Sequence, residues 1–323
     1  MERIVSLFLC VLVLSAAVVL PSAAAVELPV IPIDDLTDEG ETVWEYYGSD
    51  GNAIITDYTG VRSFVVIPKK LGGMPVAEIG DEAFSDYSKL TRLSIPKTVT
   101  AIGEGAFRNC TKLVEVYIPK GVVSLGDSAF EGCSALAALT LPSTLVSLGA
   151  NAFHNCAALT SVSIPAGVTS VGRGAFAGCT SLQSVSIPSG VSSIPESCFE
   201  DCASLVSAAI PETVGSIGKN AFNGCDALAE AQFGGSYAQW NAVTIHETNY
   251  PLRRKALVTF AILSGDFDKD GRLNALDVIA LMRCLVGHSD DGFDFANADY
   301  NGDGRVNNRD LFDMIRHIVD NAD

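Results

Sequence analysis

Leu113-Val-Glu-Val-Tyr-Ile-Pro119-Lys-Gly-Val-Val-Ser-Leu-Gly126-Asp-Ser-Ala129-Phe130-Glu-Gly-Cys133-Ser-Ala135 is one unit of a pattern that returns every 23 residues. Phe84, Phe107, Phe130, Phe153, Phe176, Phe199 and Phe222 keep that step, as do the prolines from Pro96 to Pro211 and the leucines from Leu90 to Leu228. Pro68, Gly73 and Ile79 belong to a first, degenerate unit with a five-residue insertion, since Pro68 and Pro96 are 28 apart. A fixed period of this length is the signature of a solenoid. Each unit carries a short alternating strand such as Leu93-Ser-Ile95, whose apolar residues point inward. Proline then ends the strand and glycine turns the chain. One coil cannot bury its apolar side alone, so coils stack around a shared core. The repeating Phe, Leu and Ile/Val positions are therefore packing positions, not site residues.

This pattern resembles the BspA-like bacterial leucine-rich repeats over about Val61 to Phe260. The resemblance implies a leucine-rich-repeat solenoid of parallel β coils. The Trp44-Glu-Tyr-Tyr47 and Tyr237-Ala-Gln-Trp240 segments break the repeat and read as caps. We place an N-terminal cap over 26–60, repeats over 61–233 and a C-terminal cap over 234–262.

Six of the nine cysteines, Cys110, Cys133, Cys156, Cys179, Cys202 and Cys225, form a ladder at the same step. Cys198 replaces the usual alanine before a repeat phenylalanine. Stacked coils lie about 4.7–4.9 Å apart, within reach of a disulfide. Neighbours on a ladder point the same way, however, and free cysteine is a good small core residue. Buried thiols come first, coil-to-coil disulfides second and zinc last, because no histidine accompanies the ladder.

The outward strand positions, among them Ser161, Ser163, Ser184 and Ser186, are small and polar, with Tyr117 the one aromatic. That face suits a protein ligand better than a polysaccharide, or it is a passive spacer. The four histidines are scattered, with no nucleophile motif nearby, and His154 reads as a solvated or capping turn residue. Glu115 and Glu230 sit five coils apart, beyond any paired acid/base mechanism. The expectation is that the chain is not an enzyme.

From Gly265 a second duplication begins, offset by 33. Asp266, Asp268, Asp270, Arg272, Asn274 and Asp277 in the first copy match Asp299, Asn301, Asp303, Arg305, Asn307 and Asp310 in the second. These are loop positions 1, 3, 5, 7, 9 and 12, with Gly271 and Gly304 at position 6. Calcium takes six to eight hard oxygen ligands, and glycine at the sixth place makes the sharp turn. Arg272 and Arg305 would lend only their backbone carbonyls. The two loops predict two Ca2+ ions, which fold the module rather than catalyse.

Each loop is followed by a helical stripe, Val278/Leu281/Leu285 and Leu311/Met314/Ile318. This arrangement resembles a type I dockerin over about Leu263 to Val319, in which aspartate at loop position 12 is usual. We place that small all-α calcium-binding module over 263–323. The resemblance implies docking onto a cohesin module of a scaffolding protein, as in cellulosome-like complexes. It also implies that loop positions 10 and 11 govern partner choice; here they are Ala275/Leu276 and Asn308/Arg309. The familiar Ser/Thr pair is absent and the copies differ, which argues against symmetric two-way binding. Ile279, Met282 and Val286, repeated by Phe312, Ile315 and Val319, form a second apolar stripe beside the inner one. With Arg283 and Arg316 on its flanks, this stripe is the expected cohesin face, or else a wider core. The short Phe260–Gly265 junction predicts a module held close to the last coil.

The charge of -17 gives no basic surface for nucleic acid. Val26–Gly60 carries nine acidic residues and no basic ones, and the repeats are nearly neutral. The C-terminal segment has 13 acidic residues against six basic. Arg3, the apolar run Ile4–Leu20 and Ala23-Ala24-Ala25 read as a cleaved secretory signal over 1–25. We therefore expect a secreted, non-catalytic protein without a membrane span in its mature form, held at the cell surface through a scaffold. The alternative is a surface adhesin that recognises host or neighbouring-cell proteins.

Overall fold

The computed structural model describes residues 43–235, 237–260, 267, 273, 275–285, 298, 300–301 and 305–320. The Phe260–Gly265 junction falls outside these residues, apart from Phe260 itself. The repeats form a β-solenoid whose coils each contribute up to two short parallel strands. The first ladder begins with Phe64–Val66, Arg92–Ser94, Glu115–Tyr117 and Ala138–Thr140. It resumes with Ser184–Ser186, Ser207–Ile210, Glu230–Phe233 and Leu257–Phe260. The second ladder runs from the Trp44–Ser49/Asn52–Tyr58 hairpin through Met74–Ile79 to Ser170–Val171, then from Ser193–Ile194 to Thr244–Ile245. Registers follow the sequence period: Leu148 pairs with Leu125, and Ala208 with Val185. The five-residue insertion becomes a small hairpin in which Lys70–Leu71 pairs antiparallel with Met74 and Pro75.

The core is one column. Rings from Phe84 to Phe222 stack with centroids 5.0–5.7 Å apart. Tyr58 stacks on Phe84 at 5.4 Å and Trp44 meets its edge at 6.2 Å, which closes the N-terminal end. Along the column each phenylalanine N–H donates to the next coil, as from Phe130 to the Ala152 carbonyl at 2.8 Å. The turns beside it use positive φ at two positions per coil, the second of which is occupied by Asp86, Asn109, Gly132, Asn155, Gly178, Asp201 and Gly224. These are the residue types that tolerate left-handed backbone.

The chain does not leave the ladders at Phe233. After helix α1 (Tyr237–Ala242), Thr244–Ile245 pairs with Ser216–Ile217, and Leu257–Phe260 pairs with Glu230–Phe233. Residues 234–260 are thus a further coil. Trp240 packs on Phe233 at 5.1 Å, but the end of the phenylalanine column is closed elsewhere. Asn249, fully buried, accepts the Phe222 N–H at 2.9 Å and donates to the Gly218 and His246 carbonyls at 2.9 Å. Thr248 accepts the Asn220 N–H at 2.7 Å. Two side chains of this last coil thereby stand in for the turn backbone that the earlier coils supply.

In the C-terminal module, helices α2 (Ala275–Leu285) and α3 (Asn308–Asp320) share a core around Leu281, Met314, Ala298 and Tyr300. No helix among the described residues is long and apolar enough to cross a membrane.

Candidate functional site

The outward strand face of the solenoid is polar, as its residues imply. Arg92 and Glu115 pair across it at 3.7 Å, and the exposed Val114 and Tyr117 lie beside them. On the turn side Arg108 meets Glu82 at 2.8 Å, and Arg173 meets Glu196 at 3.3 Å. His154 pairs with Glu131 at 3.2 Å, so it bridges neighbouring coils rather than serving as a solvated turn. Such exposed pairs are worth little each.

The ladder cysteines, with Cys198, are free thiols buried in the core. Each ladder Sγ–H donates to a phenylalanine carbonyl 26 residues earlier, at 3.1–3.3 Å, from Cys110 to Phe84 through Cys225 to Phe199. The same carbonyl takes a backbone N–H from its own coil; Cys110 N–H reaches Phe107 at 3.2 Å while Cys133 Sγ reaches it from the next coil. Burial pushes the Cys110 and Cys179 thiols up to about 12 and the others upward as well. Thiols held protonated are poor nucleophiles.

The C-terminal module is chemically different. Among the described residues only three polar or charged side chains are fully buried: Asn249, Asp277 and Asp310. Asp277 and Asp310 are loop position 12 of the two copies. Asp277 accepts the Phe267 N–H at 2.8 Å. Asp310 accepts the Asn301 N–H at 3.2 Å on Oδ1 and the Asn307 N–H at 2.8 Å on Oδ2. Asn307 in turn accepts the Arg309 N–H at 2.9 Å, so Asn307 and Asp310 form a reciprocal cap on α3. The Asn301 amide donates to Asp313 at 3.4 Å, and the Arg305 carbonyl accepts from the Asn307 amide at 3.3 Å. A buried carboxylate costs several kcal/mol, roughly, unless opposite charge compensates it. A hard divalent cation would supply that compensation, and the described oxygen donors, Asp277, Asn301, Asp310 and the Arg305 carbonyl, suit Ca2+. Asp266, Asp268, Asp270, Arg272, Asn274, Asp299, Asp303 and Val286 lie outside the described residues.

Phe267 and Tyr300, to which the sequence reading assigned no role, occupy loop position 2 of each copy. Both pack on the helical core, Tyr300 almost fully buried. Their shared aromatic character at the 33-residue offset was the available signal.

The two apolar stripes divide as the helical spacing implies. Leu281 and Met314 are buried, with Val278, Leu285, Leu311 and Ile318 packed beside them. Leu276, Ile279, Met282, Phe312, Ile315 and Val319 are 40–66% exposed. Ala275, Arg283, Asn308, Arg309 and Arg316 are exposed on the same helices. Arg316 lies 3.5 Å from Asp320 one turn on. The α2 surface is thus mainly apolar, and the α3 surface combines apolar groups with Arg309 and Arg316.

Residues 77–171 and 146–249 match the family model of the BspA type leucine rich repeat region, in six copies. Residues 264–319 match the dockerin type I domain. Among curated proteins none matches. Among solved structures, a leucine rich repeat protein from T. pallidum is 34% identical with a TM-score of 0.55, over 58% of this chain and 88% of that one. A leucine-rich repeat protein from Bacteroides ovatus is 27% identical with a TM-score of 0.45, over 67% of this chain and 70% of the other.

Proposed function

The chain belongs to the BspA type leucine-rich repeat family, and from that premise we propose a secreted, non-catalytic protein with two binding ends. The C-terminal module, matching type I dockerins, docks onto a cohesin module of an extracellular scaffold in a calcium-dependent way. The repeats present a surface for a protein ligand. The observation that carries this reading is the burial of Asp277 and Asp310 beneath helices whose outer apolar residues face solvent.

Two Ca2+ ions would be held, one per loop. Asp266, Asp268, Asp270, Arg272 through its carbonyl, Asn274 and Asp277 form the first set. Asp299, Asn301, Asp303, Arg305 through its carbonyl, Asn307 and Asp310 form the second. Since Asn307 also caps α3, its contribution fits the water-mediated contact common at position 9. The ions neutralise the carboxylates and fix both helices. Ala275, Leu276, Ile279, Met282, Arg283 and Val286, with Asn308, Arg309, Phe312, Ile315, Arg316 and Val319, then form the partner face. Its two halves differ in charge, which favours one binding mode over two equivalent ones.

Capture of the full chain by immobilised cohesin modules, with calcium and with chelator, tests the reading. Capture should vanish with chelator, and Met282→Asp with Ile315→Asp should abolish it while two ions still bind by titration calorimetry. Unchanged affinity in the double variant would exclude the face, and chelator-insensitive capture would exclude the calcium plug. Capture of cell-surface proteins through the repeats, indifferent to chelator, would favour the adhesin reading.

A further inference from the structure

The solenoid carries a fault in its middle. At one position per coil the backbone N–H donates to the apolar residue of the coil before: Gly80 to Ile55, Gly103 to Ile79, Gly126 to Ile102, Gly149 to Leu125, Gly172 to Leu148, Gly218 to Ile194 and His246 to Ile217, all at 2.7–3.0 Å. The remaining coil has Pro195 there, which has no N–H to offer Val171. A side chain at Gly149 or Gly172 would strike the backbone of the preceding coil. Pro195 brings such carbon atoms to the one coil where the donor is also gone.

The second ladder stops at this place. Ser170–Val171 ends the first stretch of the second ladder, and Ser193–Ile194 begins another without pairing to it. Thr169 donates to Val146 and Gly215 to Ser192, both at 2.9 Å, but the matching bond from Ser192 to Thr169 is not made. The first ladder is interrupted one coil earlier, between Ala138–Thr140 and Ser161. Across the Pro195 boundary it keeps the Ser161–Ser184 bridge and the Gln183 N–H bond to the Thr160 carbonyl at 3.1 Å. A small apolar cavity sits at the break, lined by Ile164, Val171, Ile187, Ile194, Pro195 and Cys198 among others.

The turn side is continuous across the same boundary. Gly174 donates to Glu196 at 3.0 Å, Phe176 to Cys198 at 2.9 Å and Gly178 to Glu200 at 2.7 Å. The rings of Phe176 and Phe199 remain stacked, though at 5.7 Å theirs is the widest step in the column. The turn edge of the boundary is therefore tied, the first ladder is still joined, and the second-ladder edge is open, which is the geometry of a hinge.

We propose that the junction between the coil of Ser161–Val171 and the coil of Ser184–Ile194 is a hinge, with the turn-side phenylalanine column as its axis and the second-ladder side as its opening edge. It divides the array into two blocks whose outward faces can change their mutual angle. In a fault-free array the central coils, furthest from fraying ends, are the best protected. The hinge reverses that order.

Native-state hydrogen exchange on the calcium-loaded full chain tests this. The amide of Ser192 should exchange on the order of tenfold or more faster than those of Val123, Val146 and Thr169, whose bonds to the preceding coil are made. The amides of Phe176 and Gly178 should keep their protection. Pro195→Gly should erase the contrast, and Pro195→Ala, which restores the donor but keeps Cβ, should erase part of it. Peptide-resolved thiol labelling gives a second readout: Cys198, at the cavity, should label before Cys133. Highest protection in the central coil, or Cys133 labelling as fast as Cys198, would overturn the proposal, as would rates unmoved by Pro195→Gly.

Discussion

The solenoid and the C-terminal module solve the problem of buried polarity in opposite ways. In the solenoid, backbone groups pair from coil to coil, thiols supply extra donors, and Asn249 is the one fully buried polar side chain among the described residues. In the module, a core of a few apolar residues encloses two carboxylates. The first region is stable through repetition of identical contacts. The second is a short acidic segment whose fold, on the proposed reading, depends on bound calcium. Stability in one region is therefore distributed, and in the other concentrated at two points.

The largest break in that symmetry should come from calcium removal. Chelator should unfold α2 and α3 while the solenoid's thermal transition stays in place, read by circular dichroism on the full chain and on Asp277→Ala/Asp310→Ala. A matching loss of solenoid structure would show that the regions are not separately stabilised. Next in size is the middle of the column: Phe153→Ala should cost about 3–5 kcal/mol in denaturant unfolding, without altering calcium affinity. Smaller again is the polar end. Asn249→Leu keeps the branched shape but leaves the Phe222 N–H unpaired and the Gly218 and His246 carbonyls with their backbone bonds alone, at about 2 kcal/mol. Local exchange at Phe222 should rise, and a neutral outcome would mean that water replaces the side chain at no cost.

The sequence disclosed whatever repeats. Phe, Leu and Pro at the 23-residue step revealed the coils, the strand register and the inward positions, because identical contacts demand identical residues. The dockerin type I match over 264–319 and the division of the two helical stripes were legible for a related reason, since loop positions and helix faces have fixed spacings. What escaped has no period. The last coil is hidden because α1 lengthens it: Ile217 pairs with Ile245, 28 residues on, and Glu230 with Leu257, 27 on. Thr248 and Asn249 escaped because they imitate backbone groups, a role that leaves no hydrophobic mark. Pro195 was visible as a departure from glycine, but its consequence depends on a bond to the neighbouring coil that only the fold reveals.

The interchangeable coils have one more consequence. A column of like units is translationally degenerate: sliding one block past another by a single coil restores nearly every interior contact. Such a chain risks folding into the wrong alignment at almost no energetic penalty. The residues that break the period are what lift the degeneracy. Trp44 and Tyr58 at one end, Thr248 and Asn249 at the other, and the Pro195–Cys198 coil between them each fit one neighbour only. They act as index marks along the array, so the exceptions to the repeat carry the information about where each coil belongs.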